Sequence, residues 1–135
     1  MTDIDYERAR RIVDAALERS REIGVPMSVA VVDRTRELVA FARMGGAPIF
    51  TAKVATAKAF TAVSLGTPTH VTQQFTPSGG PFYGLEAIGG GVISTIPGGI
   101  PLVEDGEVTG AVGASGGSAE EDLDVAEYAA RALGE

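Results

Sequence analysis

The sequence contains no cysteine and no tryptophan, a single histidine (His70) and only 6% aromatic residues. Without cysteine there is no disulfide, no thiolate nucleophile, no iron–sulfur cluster and no cysteine-type zinc site. One imidazole is too few for an ordinary zinc centre, which takes several His or Cys ligands. No stretch approaches the roughly 18 consecutive apolar residues that read as a membrane span. The N-terminus, MTDIDYERARR, is charged and lacks the apolar core of a secretory signal. These absences predict a cytoplasmic protein with no membrane partner.

Hydrophobic residues make up 44% of the 135, enough for one core, so the expectation is a single domain over residues 1–135. The net charge is −7. Such a surface repels a phosphate backbone, and nucleic acid is not an expected partner. Arg8, Arg10, Arg11, Arg19 and Arg21 lie close together but alternate with Glu7, Asp14, Glu18 and Glu22, as on a solvated helix face. Glycine is abundant, 18 residues, with all but Gly24 after position 44.

Residues 3–23 carry Ala9, Ile12, Val13, Ala16 and Leu17 at helical spacing, with Asp3 or Thr2 as the expected cap. Gly24 and Pro26 end that helix. MSVAVVD (27–33) and ELVAFAR (37–43) read as two strands of a hairpin. Residues 48–65 form an Ala- and Thr-rich helix whose small and apolar residues surround it, expected to be covered by its own sheet, a second subunit, or both. A short helix follows from Pro68 to about Phe75, with Thr69 as its expected cap. After an irregular glycine-dense loop come strands at 92–96, 100–104 and 107–115. The Asp105-Gly106 pair marks a tight hairpin, and Gly110 and Gly113 invite a close approach to the sheet. Ser118-Ala-Glu-Glu121 is a capping box opening a last helix over 119–133. The order lacks alternating βαβ units, so the expected class is α/β of the α+β kind: an antiparallel sheet of about five strands with helices packed against it.

Five blocks in order, SVAVVD (28–33), LVAFARMGGA (38–47), TAKVATAKAFTAV (51–63), GGPFYGLEAIGGGV (79–92) and GGIPLVEDGEVTGAVGASGGSAEED (98–122), identify the chain as resembling the GlcG/HbpS family, which also supplies the C-terminal domain of PduO-type proteins. The resemblance covers nearly the whole chain. It implies a profilin-like domain, a homo-oligomer, and an association with haem. It also implies an accessory setting beside glycolate, diol or aromatic-acid catabolism. The sequence departs from the family pattern in one place: Ala87 stands where members commonly carry a histidine after the YGL block.

Seven residues are candidates for chemistry. His70, the only imidazole, could ligate haem iron or carry a proton; it is otherwise a polar residue of a short helix. Lys53 and Lys58 match the family's lysine pair and could bind a carboxylate or haem propionate. Five residues apart, they point about 140° from one another, so at most one faces a given pocket. Arg43 could clamp a carboxylate in a bidentate way. In the glycine loop, Tyr83 could hydrogen-bond a ligand, ligate iron or move a proton, and Glu86 could act as a general base if buried. Ser115 could line a pocket. The stretch 113–118 is not a phosphate cradle, since Glu120, Glu121 and Asp122 already occupy the helix N-terminus.

The leading reading is a small-molecule-binding protein for haem or another planar or acidic ligand, with Lys53, Lys58, Arg43 and Ser115 at the site. The alternative is a small isomerase, tautomerase or hydratase of organic-acid or aromatic catabolism using Glu86, Tyr83 or His70. A third reading is an accessory subunit of such an enzyme.

Overall fold

The computed structural model describes residues 3–134; the Thr2 cap expected for the first helix lies outside them. The elements follow in the order α1 (Tyr6–Ile23), β1 (Ser28–Asp33), β2 (Leu38–Arg43), α2 (Thr51–Leu65), α3 (Thr69–Gln73), α4 (Leu85–Ile88), β3 (Gly99–Glu104), β4 (Glu107–Ser115) and α5 (Ala119–Arg131), closing on a 3-10 turn at Ala132–Gly134. The class is the expected α+β. The sheet has four strands, not five, all antiparallel, in the order β2-β1-β4-β3.

The missing strand is 92–96. Its backbone is taken up by helix side chains instead of a ladder: the Ser94 N–H donates to Thr61 Oγ1 at 2.9 Å, and the Ile96 carbonyl accepts from the Thr69 hydroxyl at 2.7 Å. Thr69 therefore does not cap α3. Pro68 precedes the helix, and the Thr69 hydroxyl faces away to hold Ile96 and the Gly99 N–H. The cap of α1 is Asp5, whose side chain accepts from the Arg8 N–H, rather than Asp3, which binds Arg34 across the fold.

Other local signals act as their chemistry requires. Ser118 and Glu121 form a reciprocal capping box on α5. Asp105 and Gly106 both adopt positive φ, 51° and 80°, the twist-matched geometry of a two-residue hairpin.

The sheet is covered on both faces. Because side chains alternate along a strand, Val29 and Val31 of β1, with Met27 just before it, and Val112 and Ala114 of β4 meet Ile12 and Ala16 of α1 and Val125 and Ala129 of α5. Each such aliphatic side chain removed from water contributes roughly 1.5–3 kcal/mol. The opposite face takes α2 at very short range. A Cβ on Gly113 would collide with the Ala55 carbonyl, and one on Gly99 with the Lys58 carbonyl. Only small residues fit between, which explains Ala59, Ala62 and Ala111 in that layer.

Candidate functional site

Helix α2 is buried on the sheet side by Thr51, Ala55, Lys58, Ala59 and Ala62. Its remaining face presents a second stripe at 53, 56, 57 and 60, the i, i+3, i+4, i+7 spacing of one helix side. That stripe, the edge strand β2 and the end of the glycine-rich loop enclose a groove of about 440 Å³. Strand β2 contributes Leu38 and Phe41. The helix contributes Lys53, Thr56 and Phe60, with Ala52 and Ala57 forming the floor between them, and the loop contributes Gly91 and Val92. The volume lies within the range of small-molecule sites, and the mix is typical of them: apolar walls with few polar groups.

Lys53 is exposed and, among the described residues, is the one charged residue of that lining. It sits in the first turn of α2, which holds no acidic residue. The positive end of the helix dipole and the ammonium thus reinforce each other, an arrangement that costs helix stability and attracts an anion. At the other end, the Arg36 guanidinium lies 5.3 Å from the centre of the Phe60 ring, a cation–π contact at the rim. Arg36 holds a positive φ of 76° in the β1–β2 turn.

Lys58 has a different setting. It has no exposed surface; its ammonium donates to the Ala114 carbonyl at 2.8 Å and to Asp122 Oδ2 at 2.7 Å. Burial pushes its pKa below the ordinary lysine range, while the hydrogen bond and charge of Asp122 act to keep it ionised. Asp122 Oδ1 accepts from the N–H groups of Gly116 and Gly117 at 3.1 and 2.8 Å. The pair therefore bolts α2 through the sheet end to the start of α5. This lysine, expected among the ligand contacts, faces the protein interior instead because the tight α2–sheet contact leaves it no route to solvent. Ser115, 4% exposed, is likewise enclosed in the last residue of β4 and does not line the groove.

Arg43 is exposed at the end of β2, paired in register with Ser28, and is not part of the lining. Tyr83 and Glu86 are exposed on the glycine-rich loop, and neither lines the groove. His70 is partly buried on α3, and its Nδ1, shielded from solvent, has no hydrogen-bond partner among the described residues. Of the seven candidates, the groove therefore gathers Lys53 alone. Sequence reasoning missed Leu38, Phe41 and Phe60; the 53–56–57–60 stripe was the signal that could have found the helix side. It also missed Asp122 as the partner of Lys58.

The chain matches the family model described as haem degrading protein HbpS-like over residues 4–131. It is 35% identical over 130 residues to the corrinoid adenosyltransferase PduO of Salmonella typhimurium, an alignment covering 96% of this chain and 39% of that protein. The chain thus spans well under half the length of that relative. Among solved structures, it resembles Klebsiella pneumoniae protein ORFY at 30% identity with a TM-score of 0.96, covering 99% of this chain and 92% of that one. It also resembles the structure described as a PduOC:heme complex, at 34% identity and a TM-score of 0.93, covering 97% and 95%. Among the described residues, no helix is long and apolar enough to cross a membrane.

Proposed function

Since the chain belongs to the HbpS-like family, we propose that it is a binding protein for a flat, largely apolar, carboxylate-bearing small molecule of the tetrapyrrole class, haem included, held in the groove between β2 and α2. The observation that carries this reading is the pairing of apolar walls with one cation. Leu38, Phe41, Phe60 and Val92 suit a hydrocarbon plane, and Lys53 suits a propionate. The relative whose solved structure contains haem has the same fold at 34% identity.

The groove fits one part of a haem and not another. Its walls and its lysine match the ring and an acidic arm. Its donor set does not match the iron, because among the described residues no His, Cys, Met or Tyr lines it. Glu86 and Tyr83, the acid–base candidates, stand in water outside the groove, so no observation favours the enzymatic alternative.

The working form is a homo-oligomer. Ile49 and Phe50, 85% and 65% exposed, stand side by side just before the start of α2, the kind of exposed apolar residues that favour association.

The test is titration of haemin into purified protein, followed by absorbance, with mass by light scattering. The expected result is saturable binding at a fixed ratio to the subunit, weakened about tenfold or more by Lys53→Gln, on a species larger than 13.9 kDa. Unsaturable binding that ignores Lys53 would refute it.

A further inference from the structure

We infer that the groove recognises the plane and the carboxylates of a tetrapyrrole and supplies no side-chain ligand to a central metal, so that an iron-free porphyrin is a ligand of the same site on equal terms with haem. This rests on the reading of the groove as a tetrapyrrole site and goes beyond it in saying which part of the ligand is read.

An axial iron ligand is ordinarily an imidazole, a thiolate, a thioether or a phenolate. The chain's single imidazole, His70, is on α3, whose Thr69 hydroxyl is fastened to Ile96 and to the Gly99 N–H at the start of β3. Strand β3 is one edge of the sheet, and β2, which walls the groove, is the other. Three strand spacings, about 14 Å, separate those edges. Tyr83 is 69% exposed and is not in the lining. Ala87, on α4, carries only a methyl group and is exposed.

What remains at the groove among the described residues are a neutral hydroxyl, Thr56, and a cation, Lys53. The cation sits in a helix turn that lacks any acidic residue, so its field is directed at an anion. The walls that meet a ring face, Phe41 and Phe60, do not distinguish a metallated from a metal-free macrocycle.

The experiment compares haemin with metal-free protoporphyrin IX on the intact protein. Porphyrin emission and Soret absorbance are followed for the parent and for Lys53→Gln, His70→Ala and Tyr83→Phe, each variant checked for parental circular dichroism. The expected result is dissociation constants for the two ligands within about threefold of each other, with both weakened to a similar degree, about tenfold or more, by Lys53→Gln. An equal loss identifies Lys53 as a carboxylate partner and not as an iron ligand. The haemin Soret position should be the same in His70→Ala and Tyr83→Phe as in the parent. A metal-free porphyrin that binds more than about thirtyfold more weakly than haemin would overturn the inference and leave the tetrapyrrole reading standing. So would a Soret band displaced by either substitution. Failure of both ligands to bind saturably would overturn the two together.

Discussion

Removing one member of the Lys58–Asp122 pair should destabilise the fold more than any change in the groove. Lys58 is fully buried and its ammonium has two partners, Asp122 Oδ2 and the Ala114 carbonyl. Lys58→Met leaves the Asp122 carboxylate with its two glycine N–H donors but without its counter-charge. Asp122→Asn leaves a buried ammonium facing a neutral amide. Stranding one buried charge costs about 3–5 kcal/mol. At about 2.1 cal/mol/K per residue, 135 residues give an unfolding entropy near 0.28 kcal/mol/K, so each single variant should lower Tm by roughly 10–18 °C. The double variant removes both charges and should be less destabilised than the sum of the two by about 2 kcal/mol or more. Thermal and urea unfolding by circular dichroism measure all four corners of the cycle. Single variants that each lose less than about 1 kcal/mol, or losses that simply add, would refute the idea that this pair joins α2 to α5.

Three further predictions are independent of that pair. Lys53→Glu places an acid in the first turn of α2, so it should raise stability by about 0.3–1 kcal/mol in a melt while abolishing saturable porphyrin binding; a parallel fall in both would show Lys53 to be structural. Gly113→Ala should cost about 3 kcal/mol or more in urea unfolding, because its methyl meets the Ala55 backbone of α2, whereas Gly45→Ala, with open space around it, should stay within about 0.5 kcal/mol. Acid unfolding should involve Asp33 and Asp124. Partial burial works to raise the Asp33 pKa, but the Thr35 hydroxyl and the N–H groups of Glu37 and Thr35 outweigh it and the net shift is downward; Asp124 is lowered by the Arg19 guanidinium. Both therefore lend stability that is present above the ordinary aspartate value of about 3.9 and lost as pH falls through the lower folded values. Asp33→Asn with Asp124→Asn should flatten the stability profile below about pH 4 and leave its shape above pH 6 unchanged.

Most of the architecture was legible because its signals are local. The Ser118–Glu121 box, Gly24 past the end of α1 and Asp105-Gly106 each act within a few residues, and each forms in the structure as its chemistry demands. The apolar run at 92–96 misled because a short apolar segment looks like a strand whether or not an edge is available to pair with it. Here Thr61 and Thr69, far away in sequence, satisfy its backbone first. The candidate site was legible only in part. Residue chemistry and local position point to Lys53, Arg43, Tyr83, Glu86 and His70 alike, but only the packed fold decides that Lys53 reaches the groove and the other four do not.

The two lysines of α2 mark the boundary. Helical spacing alone required Lys53 and Lys58 to point in different directions, because five residues at 100° each leave them 140° apart. Which one turns inward is a property of the packed molecule. The sheet supplies glycines at 99 and 113, the helix settles against them, and the side it presents there encloses Lys58 while leaving Lys53 at the groove. A buried ammonium is tolerable only because Asp122, 64 residues away, reaches it at 2.7 Å. Periodicity is written into neighbouring residues and can be read from them; the identity of a buried partner depends on chain segments that meet only once the layers have closed.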